Sequence, residues 1–408
     1  MRRQQALLLR DSRRWSSSSA ASGAGLKVCV TGASGFVGLH VTQTLLRRGY
    51  LVHGTVRDTA NRQRCAPLAE LSWQFPGQLK LYEARLQEPG CLDEAVRGCH
   101  GCFHVASPHP NPLPTGLAEL QRSIIEPAVA GTRSAVRACA RAGPQLRRLV
   151  HTSSFAAVTE VGNPSKPEGY FYDESDWNTF SHVGGGSLEA KRASKVQAEA
   201  ALWDAMLALE SGDGEDANNE EDGSAAAPTR SVAAFDAVAL NPSLIMGPAL
   251  RAVESRRDLS LSSLILLHLV TGSYPLVPRS GNAWVDVADV AEAHVRAFET
   301  EAAGGRRYLI TPGCVSYREV CDVLRAMYPG AAVPSECAAA PPVGGRGWRD
   351  SVSWLWGESG GAVAMAADVH FGVDASRSVA ELGMRWRPLH DSLRRQVECF
   401  RRADLVDF

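Results

Sequence analysis

Thr31-Gly32-Ala33-Ser34-Gly35-Phe36-Val37-Gly38 is the stretch on which the reading of this chain turns. The apolar run before it, 26–31, reads as a strand, and 36–48 after it reads as an amphipathic helix. A strand, a glycine-rich turn and a helix in that order make an anion cradle. Gly32 permits the tight turn, Gly35 lets the backbone approach a pyrophosphate, and Gly38 allows the helix to lie close against the strand. The helix N-terminus adds oriented N–H groups for the anion. Ser34 and Phe36, inside the turn and at the helix start, belong to the same cradle.

Working outward, short apolar runs alternate with amphipathic stretches. Strands are expected at 51–56, 79–83, 102–105, 148–152 and 233–240, and helices at 92–96 and about 118–142. Such alternation implies an α/β fold, a Rossmann-type doubly wound parallel sheet covered on both faces. No internal repeat is present. The core is expected mainly over 26–250 and a small C-terminal substrate lobe mainly over 251–408. Between 209 and 231 the chain is acidic and nearly free of apolar side chains, so a disordered insertion is expected there. The second strand ends in Arg57 instead of the acid that would hold unmodified ribose hydroxyls. An arginine there suits a 2′-phosphate, which points to NADP, and Arg62 and Arg64 could add to the pocket.

Composition narrows the classes. The chain has 408 residues and a formal net charge of −1, so bulk electrostatics give no pointer to nucleic acid. Ten cysteines lack framework spacing and read as reduced thiols; Cys99 and Cys102 form a CxxC without a second ligand pair, which reads as packing. No metal-ligand spacing occurs among the histidines. The best apolar run, 261–270, is about half of the ~20 residues a membrane span requires. Residues 1–25 differ in kind. Arg2, Arg3, Arg10, Arg13 and Arg14 face one acid, Asp11, and Ser16 to Ser19 follow, the composition of a transit peptide. Import into the mitochondrion is expected, the plastid being the other organelle compatible with it; a basic tail without a targeting role would leave the chain cytoplasmic.

The spacing TGxxGxxG, and the segments that follow it in order, resemble the extended short-chain dehydrogenase/reductases of the epimerase/dehydratase superfamily. The likeness is to their dihydroflavonol reductase and cinnamoyl-CoA reductase group. Those segments are Thr55-Val56-Arg57-Asp58, His104-Val105-Ala106-Ser107-Pro108, His151-Thr152-Ser153-Ser154, Tyr172-Asp173-Glu174-Ser175-Asp176-Trp177, Asn241-Pro242-Ser243 with Gly247-Pro248, and Trp284-Val285-Asp286-Val287. The resemblance implies NADPH-dependent reduction of a ketone or aldehyde, or oxidation of the alcohol, on a small-molecule substrate. It places Ala106, Pro242 and Lys195 at the cofactor, Ser154 on the substrate oxygen and Lys195 on the nicotinamide ribose. Relatives include monomers and dimers, so a homodimer is compatible with it.

The pattern breaks at one position. The group's tyrosine proton donor stands four residues before its lysine, on one helical face; here Lys191 stands four before Lys195. Four readings compete: a non-catalytic NADP-binding protein; a tyrosine from elsewhere, Tyr170 and Tyr172 being nearest; Lys191 itself as the acid; or a register shift from Gly184-Gly185-Gly186. A nucleotide-sugar epimerase or dehydratase is a weaker alternative, because it relies on the same tyrosine. Arg85 is a second departure, where many relatives carry an aspartate facing the adenine. His104 and His151 read as core histidines, Asp286 and Asp289 as helix caps. Trp348, Trp354 and Trp356 read equally as pocket lining or lobe cover, and helix 259–270 equally as pocket border or lobe packing.

Overall fold

A computed structural model describes residues 23–108, 114–160, 166–167, 169–211, 235–278, 281–337 and 371–408. Seven strands form one parallel sheet: β1 (Lys27–Thr31), β2 (Leu51–Val56), β3 (Leu79–Glu83), β4 (Gly101–His104), β5 (Arg148–Thr152), β7 (Asp236–Pro242) and β10 (Arg307–Ile310). Their order is β10-β7-β5-β4-β1-β2-β3, the reversal falling between β1 and β4, where an open parallel sheet leaves a crevice at the strands' carboxyl ends. The period-two alternation of strand side chains decides which face each residue enters. Val28, Val30, Phe103, Val150 and Val238 enter one apolar layer with α1 (Phe36–Arg47) and α8 (Val287–Glu299). Cys29, Cys102, Leu149 and Ala237 enter the other, against α3 (Asp93–Val96), α5 (Glu126–Arg141) and α6 (Ser187–Ser211). The doubly wound α/β expectation therefore holds. Cys99 and Cys102 are buried in that second layer; the Cys99 thiol donates to the Ala95 carbonyl at 3.4 Å, which is packing.

Four local expectations need correction. Helix α2 (Arg62–Gln74) was not read from the sequence, because Pro67 and a polar exposed face hide its period; Asn61 caps it by accepting from Arg64 N. The long helix after β4 is not uniform: α4 (Leu117–Leu120) passes through one π turn, Gln121–Ile125, before α5. Leu209, Glu210 and Ser211 complete α6, so the acidic insertion cannot begin at 209, and 212–231 lie outside the described residues. The core also does not end near residue 250. Strand β10 covers the free edge of β7 and α8 packs on α1, because an uncovered edge strand would leave its backbone groups unpaired.

The smaller lobe is a three-stranded sheet in the order β11-β9-β8, from β8 (Leu244–Met246), β9 (Gly281–Asp286) and β11 (Cys314–Ser316). Helices α7 (Leu261–Val270), α9 (Tyr317–Met327) and α11 (Leu389–Arg402) share an apolar cluster with it. Leu266, Leu267, Leu269 and Val270 are buried there, so α7 serves lobe packing. Asp286 caps α8 by accepting from Ala288 N at 2.8 Å, as expected of a cap. Asp289 instead accepts from Arg387 N, tying the C-terminal segment to α8. A two-stranded pairing of β6 (Phe171–Tyr172) with β12 (Gly372–Val373) closes one side, and α10 (Ser376–Leu382) follows it. Trp348, Trp354 and Trp356 lie outside the described residues. No helix among the described residues is long and apolar enough to cross a membrane.

Candidate active site

The glycine turn forms as its sequence demands. Gly32 has φ +66°, a left-handed conformation, and a Cβ there would stand 3.0 Å from that of Ala106. Side chain and turn are locked from two directions. Thr55 Oγ1 accepts from Gly32 N at 3.2 Å, while Thr31 Oγ1 accepts from Val105 N and Ala106 N at 3.1 and 3.0 Å. A Cβ on Gly38 would come within 2.2 Å of the Gly32 carbonyl oxygen, so only glycine lets α1 start this close to β1. Gly35, exposed, is the N-cap of α1 without a side-chain cap, and no acid lies in the first turn. The positive end of the helix is thus left unneutralised at an open surface, which fits a pyrophosphate. Ser34 and Phe36 are half-buried beside it. Arg57 is exposed where β2 ends, with no side-chain hydrogen bond or ion pair among the described residues. Arg62, Arg64 and Arg85 are exposed too. The residues present therefore fit a phosphorylated dinucleotide.

Helix α6 carries the second half of the site. Lys191, Lys195 and Glu199 follow at single-turn intervals on one face. Lys195 Nζ donates to Ser107 Oγ at 3.0 Å, immediately beyond Ala106 and the glycine turn. That contact sets Lys195 beside the segment that follows β4, with Lys191 one turn before it in α6; Gly184, Gly185 and Gly186 lie just ahead of the helix. They form a short 3-10 turn over Val183–Gly185, and Gly186, with φ +96°, leads into the helix. Leu120 and Ile124 of the preceding helix cover Ala190, next to Lys191, with Val183 packed on the same cluster. Burial, and then the Lys195 ammonium, pull the Lys191 amine down to about 8. Burial likewise lowers Lys195 to about 8, against the raising influence of Glu199.

Ser154 sits just past the end of β5 and caps the 3-10 turn Phe155–Ala157, its Oγ accepting from Ala156 N at 3.2 Å. Asn241 Nδ2 donates to the Ser154 carbonyl at 3.1 Å, one residue before the predicted Pro242. Beneath them His104 and His151 stack with ring centroids 5.5 Å apart, and His104 Nδ1 meets Thr31 Oγ1 at 3.0 Å. Burial, and then Lys195 and His294, hold His151 down at about 3; burial likewise keeps His104 well below its ordinary value. Both are neutral floor residues, as expected of core histidines. His151 Nδ1, Asn241 Oδ1 and Ser243 Oγ are buried without a partner among the described residues, polar atoms that a bound ligand could satisfy.

The two tyrosines weighed as substitutes are committed elsewhere. Tyr172 OH accepts from Glu160 N at 3.3 Å, and Tyr170 OH donates to Asp176 at 2.8 Å. Sequence reading missed the polar ground under the site. Local sequence pattern marks neither Glu199 nor Arg307 as part of the site. The available signal was the second i, i+4 step, from Lys195 to Glu199. No group of three or more histidine, cysteine or acidic side chains suited to a metal occurs among the described residues.

The model of the NAD dependent epimerase/dehydratase family matches residues 28–181. A cinnamoyl-CoA reductase of Medicago truncatula is 36% identical over 321 residues, covering 79% of this chain and 86% of that protein. Tetraketide alpha-pyrone reductase 1 of Arabidopsis thaliana is 34% identical, covering 76% and 83%. Among solved structures, Gre2 of Candida albicans in complex with NADPH superposes with TM-score 0.68 at 26% identity, over 93% of this chain and 99% of that one. The yeast methylglyoxal/isovaleraldehyde reductase complexed with NADPH reaches 0.70 at 21% identity, over 93% and 100%, a likeness of fold.

Proposed function

Because the chain belongs to the NAD dependent epimerase/dehydratase family, in its extended short-chain group with the cinnamoyl-CoA and dihydroflavonol reductases, we propose that it is an NADPH-dependent carbonyl reductase with Lys191 as its proton donor. The observation that carries this reading is the pair of lysines on one face of α6, with Lys195 seated on Ser107 and Lys191 in the place of the family's tyrosine. NADPH held at the glycine turn supplies a hydride to the substrate carbonyl. Arg57 holds the 2′-phosphate, the α1 N-terminus the pyrophosphate, and Lys195 the ribose. Ser154 donates a hydrogen bond to the carbonyl oxygen, and Lys191 delivers the proton that converts it to a hydroxyl. An ammonium of pKa about 8 is mostly protonated at neutral pH and releases its proton readily, which general acid catalysis requires.

The choice of lysine supports this assignment. Only five of the chain's 43 basic side chains are lysines, and two of the five stand here. Arginine, the cation this chain uses elsewhere, cannot give up its proton. The test is NADPH oxidation across aldehydes and ketones with the unaltered chain, Lys191→Met, Lys191→Tyr and Ser154→Ala. Turnover lost in Lys191→Met and Ser154→Ala supports the reading. Tight NADPH binding with turnover gained only by Lys191→Tyr replaces it with a non-catalytic NADP-binding protein. Substrate conversion without net NADPH consumption makes it an epimerase.

Residues 1–25 are proposed to direct the chain into the mitochondrion, on the strength of five arginines and six serines against one acid. A fluorescent protein carrying this segment should collect in that organelle; plastid or diffuse cytoplasmic signal overturns the proposal.

A further inference from the structure

Glu199 is buried without solvent exposure between α6, β5, β7 and β10, and all its side-chain partners donate to it. Ser153 Oγ donates to Oε2; Asn241 Nδ2 donates to the same oxygen at 2.8 Å; Arg307 Nε donates to Oε1 at 2.5 Å. Two of the three donors are tied to something the proposed reaction uses. Ser153 precedes Ser154 in the chain, and the same Asn241 amide holds the Ser154 carbonyl at 3.1 Å. Arg307 stacks on Trp177, 3.8 Å from the ring centre, and donates to the carbonyls of Glu174 and Asp176 at 2.9 and 2.7 Å. Lys195 lies one helical turn before Glu199. A carboxylate this deep survives only when paired and fully hydrogen-bonded, and a helix interior offers cheaper residues for packing alone.

We propose that Glu199 is the positioning residue of the active site: it clamps the main chain at Ser154 through Ser153 and Asn241, and holds Lys195 in its charged form. This rests on the reductase reading for its catalytic meaning. The groups facing Lys195 make the second role necessary. Lys191 on its own helix repels it, His104 on β4 and His151 on β5 are neutral, and Glu199 is the acid acting on it, itself ion-paired with Arg307 on β10. Two half-buried ammonium groups one turn apart favour loss of a proton, and the carboxylate behind them opposes that loss.

The test compares Glu199→Gln, Ser153→Ala and Arg307→Met with the unaltered full chain. Two readouts are taken across pH: NADPH-dependent carbonyl reduction, and acylation of Lys195 by an amine-reactive ester followed by peptide mass spectrometry. Lys27, Lys80 and Lys166 serve as internal references. In Glu199→Gln the Lys195 midpoint and the alkaline limb of turnover should both fall by about one pH unit, a tenfold change at fixed pH. Ser153→Ala should lower kcat with neither midpoint moved. Arg307→Met strips the buried carboxylate of its ion pair, favours its protonation and should lower the Lys195 midpoint; this arm serves if Glu199→Gln does not fold. A folded Glu199→Gln with an unmoved Lys195 midpoint, or an unmoved or raised midpoint in Arg307→Met, overturns the proposal. If the unaltered chain shows no turnover while the Lys195 midpoints shift as stated, the reductase reading fails and the charge coupling stands.

Discussion

The turn at the head of α1 and the face of α6 meet at the same end of the sheet, yet they are built from opposite materials. The first is made of missing side chains. Gly32, Gly35 and Gly38 contribute space and backbone N–H groups, and the turn holds its shape through Thr31 and Thr55. The second is made of ionisable side chains, Lys191, Lys195 and Glu199, whose charges act on one another. A backbone cradle has few alternatives, because adding a Cβ meets backbone. An ionisable face can change a member and keep working, provided proton affinity and position are matched. This chain has kept the first unchanged and altered the second.

The sharpest way to break the comparison is to remove the altered member. Lys191→Met should lower kcat by roughly 10²–10⁴, the usual contribution of general acid catalysis, while NADPH affinity stays within a few-fold. Steady-state turnover and fluorescence titration on one preparation separate the two. In the unaltered chain turnover should fall above about pH 8, as the Lys191 and Lys195 amines lose their protons. A rate that holds steady to pH 10 is incompatible with either lysine acting as a charged group.

The cradle should respond in the reverse sense. In Gly38→Ala the added Cβ meets the Gly32 carbonyl oxygen at 2.2 Å, so the helix must shift from the strand. Overpacking of this kind costs about 1–3 kcal/mol. Spent on the cradle, it should weaken NADPH by about ten- to a hundredfold and leave kcat at saturating cofactor little changed. Loss of kcat with NADPH affinity intact would show that cradle and catalytic face are not separable.

A smaller effect is expected at the cradle's exposed rim. Arg57→Gln should weaken NADPH about tenfold and leave NADH unchanged, because a charge pair open to solvent contributes modestly. Equal loss for both cofactors would remove Arg57 from the 2′-phosphate and turn attention to Arg62 and Arg64.

Legibility followed the same division. The glycine turn, the end of β2 at Arg57 and the bounds of β2, β3 and β5 could be read from local pattern, because each depends on near neighbours in the chain. Glu199 could not be given a role, since its partners arrive from Ser153, Asn241 and Arg307, residues 46, 42 and 108 positions away. Helix α2 escaped because Pro67 and its exposed face break the apolar period. The return of β10 to the sheet escaped because four residues after a small lobe carry no topological mark. Lys191 was visible as a departure, but its fitness as an acid depends on Leu120, Ile124 and Val183 packed beside Ala190, contacts that come from two other segments.

That dependence on burial yields a last, smaller test. Lys191 has a folded pKa of about 8 against 10.5 when exposed, so the unfolded chain binds more protons than the folded one between those values. Below pH 8 the native state carries the cost of a half-buried ammonium beside Lys195. That cost is relieved progressively as pH rises through the window toward 10.5. Lys191→Met removes the charge and keeps an unbranched side chain of similar reach. Its midpoint of thermal unfolding at pH 7 should therefore lie above that of the unaltered chain, by on the order of a few degrees, and the gap should narrow as pH approaches 10. A gain in stability coupled to the loss of turnover marks a residue kept for its chemistry. A Met variant less stable at pH 7 would mean that Lys191 holds the helix in place, and the proton would have to come from another group.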